Sequence, residues 1–138
     1  MAGKPDMLTD LLIIRGRMGR ARYMRLTLVA MLLLALGTIM LILPWTMSRM
    51  NGVTFVPLGL STFAAVLQIA LGLWIAVSSS IRRLHDMEWS ALWLGLCLVP
   101  VEMIAIPAAI VLSLAMSIIR GTSGANAHGP DPCAMTPD

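Results

Sequence analysis

Charge is scarce in this chain of 138 residues, and the scarcity is localised. Asp, Glu, Lys and Arg together make up 12% of it, where a soluble domain carries roughly a quarter. Leu26 to Ser48 contains none of them, nor does Met50 to Ile81, and Trp89 to Ile119 contains only Glu102. The polar segments left over are residues 1–25, a bridge at Arg82–Glu88 and a tail after Arg120. They leave no room for a separate water-soluble catalytic domain. Cysteine is equally sparse. Cys97 sits in the third apolar block and Cys133 in the tail, so the pair makes neither a disulfide framework nor a closely spaced metal-ligand set. No metal or cofactor is expected. Aromatic residues amount to 5% and are not interleaved with the arginines, which abut an apolar block. The formal charge of +3 therefore does not read as a nucleic-acid footprint.

The apolar blocks themselves are the main feature. About 20 apolar residues suffice to cross the hydrocarbon core of a bilayer as a helix, and each block exceeds that length. The expected fold is all-α: a polytopic helical membrane protein forming a single domain over residues 1–138. Residues 5–15 read as a short interfacial amphipathic helix. The first span is expected at 22–46, with arginines at one end and Trp45 at the other as interfacial anchors, and Pro44 near its end. A cleaved signal peptide does not fit, since its apolar core runs about 7–15 residues and this one runs past twenty. The second span is expected at 58–81, opened by Pro57. Ser61, Ala65, Gln68, Gly72 and Ala76 fall on one stripe of that helix. They are the candidate packing seam, because helices in lipid associate through small residues and interhelical hydrogen bonds.

The third block admits two readings. As one helix its 31 residues would measure about 46 Å, long for a single crossing and short for two. Pro100 and Pro107 interrupt it, and proline breaks helices. The favoured reading is a hairpin of two short segments, 89–100 and 107–119, which turns near Glu102 and returns Arg120 to its starting side. A single bent crossing would instead leave Glu102 deep in lipid. The remainder, 120–138, is an extended tail with turn chemistry.

Three motifs then fall into line. Gly16-Arg17-Met18-Gly19-Arg20-Ala21-Arg22-Tyr23 precedes the first span. Arg82-Arg83-Leu84-His85-Asp86, followed by Ser90-Ala91-Leu92-Trp93, precedes the third block. Gly121-Thr122-Ser123-Gly124-Ala125-Asn126-Ala127-His128-Gly129-Pro130-Asp131-Pro132 follows it. In this order, at these distances from the apolar blocks, they resemble the YhaH/YhaI-like small bacterial inner-membrane proteins, domain of unknown function 805. The resemblance covers nearly the whole chain and implies four membrane segments with both ends in the cytoplasm. It implies no established activity. The chain departs from the family pattern at Arg22, where a Glu is usual, at Met24, where a Trp is usual, at Ser123, where a proline is usual, and at His128, where an aromatic is usual.

Basic segments flanking spans stay cytoplasmic, so the motifs are expected to converge on one surface of the bacterial inner membrane. Arg17, Arg20, Arg82, Arg83 and His85 are the candidate contacts for an anion or a lipid headgroup, because guanidinium groups recognise phosphate bidentately. Asp86 and Asp131 are candidate charge partners, with Arg82 and Asp86 spaced to pair along a helix. His85 beside Asp86 does not by itself define acid–base geometry, and no nucleophile motif is present. The expectation is a non-catalytic accessory subunit. It contacts the bilayer, including anionic phospholipids, and associates as a homo-oligomer or within a larger membrane complex. The alternative is a small transporter or permeability factor working as an oligomer.

Overall fold

The computed structural model of the chain describes residues 14–52, 59–98 and 102–132. The proposed interfacial segment before residue 14, Pro57, Pro100 and Cys133 lie outside them. Within the described residues the fold is all-helical: α1 (Arg20–Met50), α2 (Leu60–Asp86), a 3-10 helix (Ala91–Leu98) and α3 (Glu102–Ile118). The chain divides into two compact units, one made of Met1–Leu26 with Val77–Asp138 and the other of Thr27–Ala76.

α1 and α2 grow from the two charge-free blocks, and each overruns the block's expected limits. α1 has 31 residues, about 46 Å at 1.5 Å per residue. It continues past Pro44, which lies inside it, and ends in a turn whose Gly52 takes a φ of +68°. α2 has 27 residues, about 40 Å, and carries on from Ile81 through the charged bridge to Asp86. Both are long and apolar enough to cross a membrane. Their outward faces are apolar as well: Leu28, Met31, Leu32, Leu36 and Ile39 of α1 and Phe63, Val66, Leu67 and Leu73 of α2 are exposed. A helix in the core of a soluble protein would bury those side chains; a bilayer accepts them.

Burial in both helices recurs every seven residues. Tyr23, Ala30 and Gly37 are buried on α1, and Ala65, Gly72, Ser79 and Asp86 on α2. A seven-residue spacing is close to two helical turns, so these positions fall on one face of each helix. In the unit Thr27–Ala76 the helices run antiparallel and approach through glycine. A Cβ on Gly72 would stand 3.0 Å from Leu34 Cγ and 3.2 Å from the Ala30 carbonyl oxygen. One on Gly37 would stand 2.7 Å from Ile69 Cγ1 and 3.1 Å from the Ala65 carbonyl oxygen. Of the seam read from the sequence, Ala65 and Gly72 lie in this contact, Gln68 and Ala76 are half-buried, and Ser61 is exposed.

The third block forms two unequal limbs that pack on each other. Ser90 opens the first, its hydroxyl accepting the Leu92 N–H at 3.2 Å and its carbonyl the Trp93 N–H at 3.2 Å. Eight residues of 3-10 helix reach about 16 Å, farther than the same residues would as α-helix. α3, of 17 residues, is about 26 Å long. It starts at Glu102 rather than after Pro107, which lies within its second turn.

Candidate functional site

The charged motifs meet in the unit made of Met1–Leu26 and Val77–Asp138, around the last turn of α2. A helix leaves its final carbonyls without intrahelical partners, and a buried end must find donors elsewhere. At α2 the first donors are local. Trp89 N–H bonds the Leu84 carbonyl at 2.9 Å and Glu88 N–H the His85 carbonyl at 3.3 Å, the pair of bonds that defines a Schellman cap. That cap needs a left-handed residue, and Glu88 supplies it with a φ of 57°, where glycine is usual.

The remaining donors come from the tail. Thr122 N–H bonds the Asp86 carbonyl at 2.8 Å, and its hydroxyl bonds the same oxygen at 3.1 Å. Asn126 Nδ2 donates to the His85 carbonyl at 3.1 Å and to Thr122 Oγ1 at 3.1 Å. The segment after α3 is therefore a chain of turns pinned to α2, not a loose extension. Asn126 and Gly129 exchange backbone hydrogen bonds of 3.0 and 3.1 Å. Asn126 Oδ1 accepts the His128 N–H at 2.9 Å, and Asp131 Oδ2 accepts the Gly124 N–H at 3.0 Å. Gly124 and Gly129 hold φ values of +81° and +135°, conformations open to glycine and strained for other residues.

Inside this framework two arginines share one carboxylate. Arg17 Nε lies 3.0 Å from Asp86 Oδ1, and Arg83 Nη1 bonds Asp86 Oδ2. The sequence pointed to Arg82 as the partner of Asp86; the contacts on the carboxylate come from Arg83, three residues away, and from Arg17, 69 residues away. All three side chains are at least 96% buried. Their other donors go to backbone oxygens. Arg17 reaches the carbonyls of Thr122, Gly124 and Gly129 and the Thr122 hydroxyl. Arg83 reaches the carbonyls of Met116, Ile119 and Met18, the first at 2.8 Å. Because Met116 and Ile119 stand at the end of α3, Arg83 caps that helix where its dipole favours a cation. The planar fork of a guanidinium can serve several acceptors at once; a lysine could not replace either arginine.

Gly121 fits against the carboxylate so closely that a Cβ there would overlap the Asp86 side chain. Met18, Tyr23, Leu84 and Met116 are buried in the same unit, which withholds water from the ion cluster.

The headgroup candidates fall into distinct environments. Arg17, Arg82 and Arg83 are buried, His85 is half-buried, and Arg20 is exposed, with Nη1 3.4 Å from the Ile118 carbonyl. Arg15, Arg25 and Arg120, which the sequence reading did not single out for this role, are exposed as well. Beyond Ile81, where the apolar run ends, burial depresses the Arg82 pKa. The His85 pKa is also lowered, first by burial and then by His128, against an opposing hydrogen bond to the Gly16 backbone. The two imidazoles stack in parallel, with centroids 4.0 Å apart. Gly121, Thr122, Gly124, Asn126 and Gly129 were legible only as turn formers; their spacing carries the sole signal that they clasp a helix end.

Among the described residues the chain is all-helical, with two helices long and apolar enough to cross a membrane and a buried cluster in which two arginines share one carboxylate. The family model described as protein of unknown function (DUF805) matches residues 11–130, and the chain belongs to that family. No curated protein and no solved structure matches it.

Proposed function

We propose that this chain is a non-catalytic, multi-pass protein of the bacterial inner membrane, an accessory subunit that contacts anionic lipid and associates with other membrane proteins. The observation that carries the reading is the use made of Arg17, Arg83 and Asp86. Their donors and acceptors are taken up by the chain itself, so the residues best suited to hold a substrate serve as a latch. The same latch supports four membrane segments. Arg17, Asp86 and Thr122 are hydrogen-bonded together and so belong to one side of the membrane. α1 and α2 carry the chain out and back, and whatever lies between Asp86 and Thr122 must also return to its starting face. The 3-10 helix and α3 are suited to be the two limbs of that excursion. Positive flanking segments favour the cytoplasmic side, where both ends would lie.

Lipid contact then belongs to Arg15, Arg20, Arg25 and Arg120, which are exposed in the unit that holds the latch. Juxtamembrane cations contribute about 1 kcal/mol each toward an anionic surface. Native mass spectrometry after extraction in mild detergent tests both halves of the proposal, because it weighs retained lipids and co-purifying proteins together. The wild type should retain phosphatidylglycerol or cardiolipin, and changing the four arginines to Gln should remove most of it. Equal retention by both proteins would sink the lipid reading, and a chain that only ever flies alone would sink the subunit reading.

A further inference from the structure

We infer that the stacked pair His85–His128 makes the tail latch pH-sensitive, protonation of the imidazoles releasing the turns at 121–130 from the end of α2. The geometry joins the two rings to the latch directly. His85 is the penultimate residue of α2, and its own carbonyl accepts the Asn126 side chain. His128 sits in the Asn126–Gly129 turn, whose two backbone bonds close beneath it. Parallel neutral imidazoles 4.0 Å apart attract as apolar plates; two imidazolium rings at that separation repel. His85 Nδ1 is buried without a hydrogen-bond partner, so a proton placed there would find no acceptor in the closed latch. In the open latch it would meet water.

His128 is the charge that adds to burial in lowering the His85 pKa, and the hydrogen bond to the Gly16 backbone opposes them. The segment before α1 brings Arg15 and Arg17, α1 brings Arg22, and α2 brings Arg82, Arg83 and Asp86. The turn after α2 brings Glu88, and the tail brings Asp131, whose carboxylate accepts the Gly124 N–H. Cations outnumber carboxylates among them, and Asp86 already bridges two of the arginines. A group whose pKa is lowered in the closed state contributes stability that is complete above its ordinary value, about 6.5. That stability is lost as the pH falls through the lowered value.

Hydrogen exchange of the full chain in lipid nanodiscs reads the latch at the Thr122, Asn126 and Gly129 amides, each of which is hydrogen-bonded in the closed state. After correction for intrinsic exchange, protection should be constant above about pH 7. Below pH 6.5 it should fall, by up to about tenfold per pH unit for each proton taken up on opening. The single substitution His128→Phe keeps a ring for His85 to stack on but removes one proton and one repulsion, and should make the fall shallower and smaller. The double substitution His85→Phe with His128→Phe should hold its protection from pH 7.5 to pH 5. A flat wild-type profile would overturn the inference. So would a His128→Phe profile that matches the wild type, or a double variant with the wild-type pH dependence, since either would assign the titration to another group.

Discussion

Replacing Asp86 by Asn removes one charge and almost no volume, which makes it a direct probe of the latch. The amide oxygen of Asn could still accept Arg17 Nε, now at 3.0 Å. The amide nitrogen would take the place of Oδ2 and set a donor against Arg83 Nη1, which bonds that oxygen in the wild type. Two guanidinium groups with side-chain exposures of 1% and 0% would then share no counter-charge. Breaking a buried pair by removing one partner costs about 3–5 kcal/mol. Backbone carbonyls that continue to accept from both arginines place the expectation toward the lower end of that range. For a chain of this size the thermal midpoint should fall by on the order of 10 °C. Unfolding in mild detergent, followed by circular dichroism, provides the measurement. Arg17→Gln and the double variant complete the cycle, in which contacting residues show coupling of about 0.5–3 kcal/mol. The reasoning fails if Asp86→Asn lies within about 1 kcal/mol of wild type, or if the two substitutions add without coupling. Either result would mean that water or mobile ions already screen the cluster.

Two smaller substitutions probe the same end of α2 with opposite signs. Gly121→Ala should destabilise and raise hydrogen exchange at Thr122, because the new methyl group overlaps the Asp86 carboxylate and the bond to Arg17 or Arg83 must open to admit it. A wild-type melting curve for that variant would refute the close approach. Glu88→Gly relieves a left-handed residue at φ 57° while adding flexibility to the unfolded chain. It should leave stability unchanged or raise it by up to about 1 kcal/mol, as read by the same melts.

The long helices were legible because two long blocks without charge are written directly into residue order. Their ends were less so. α1 runs through Pro44 to Met50, since a proline in the last turns forfeits one backbone bond and does not compel the chain to stop. α2 runs through two arginines to Asp86, because Arg83 is held by that carboxylate and by backbone carbonyls distant in sequence. Arg17 and Arg83 show the general limit. Counting charges assumes that cations seek water or phosphate. Here they seek carbonyl oxygens, which every residue possesses and which therefore leave no mark in a sequence. The tail illustrates the converse. Gly121, Gly124, Asn126 and Gly129 announced turns, and turns are what they form, but nothing in their identity named α2 as the surface on which those turns would settle. The 3-10 winding of Ala91–Leu98 was also hidden, since an apolar run without period fits either helix.

The capping of α3 by Arg83 has a consequence in time. Two of the oxygens that receive this guanidinium belong to Met116 and Ile119, 33 and 36 positions later in the chain. Those that receive Arg17 belong to Thr122, Gly124 and Gly129, more than a hundred positions later. During synthesis both arginines thus emerge before these acceptors exist, and the Met18 carbonyl is the one backbone partner of Arg83 already made. The earliest charged segment waits, unclosed, until the last turns are made, and a product cut short before Thr122 keeps its charges open. The order of synthesis thus makes the closing of this cluster a late event in folding, governed by residues that follow α3.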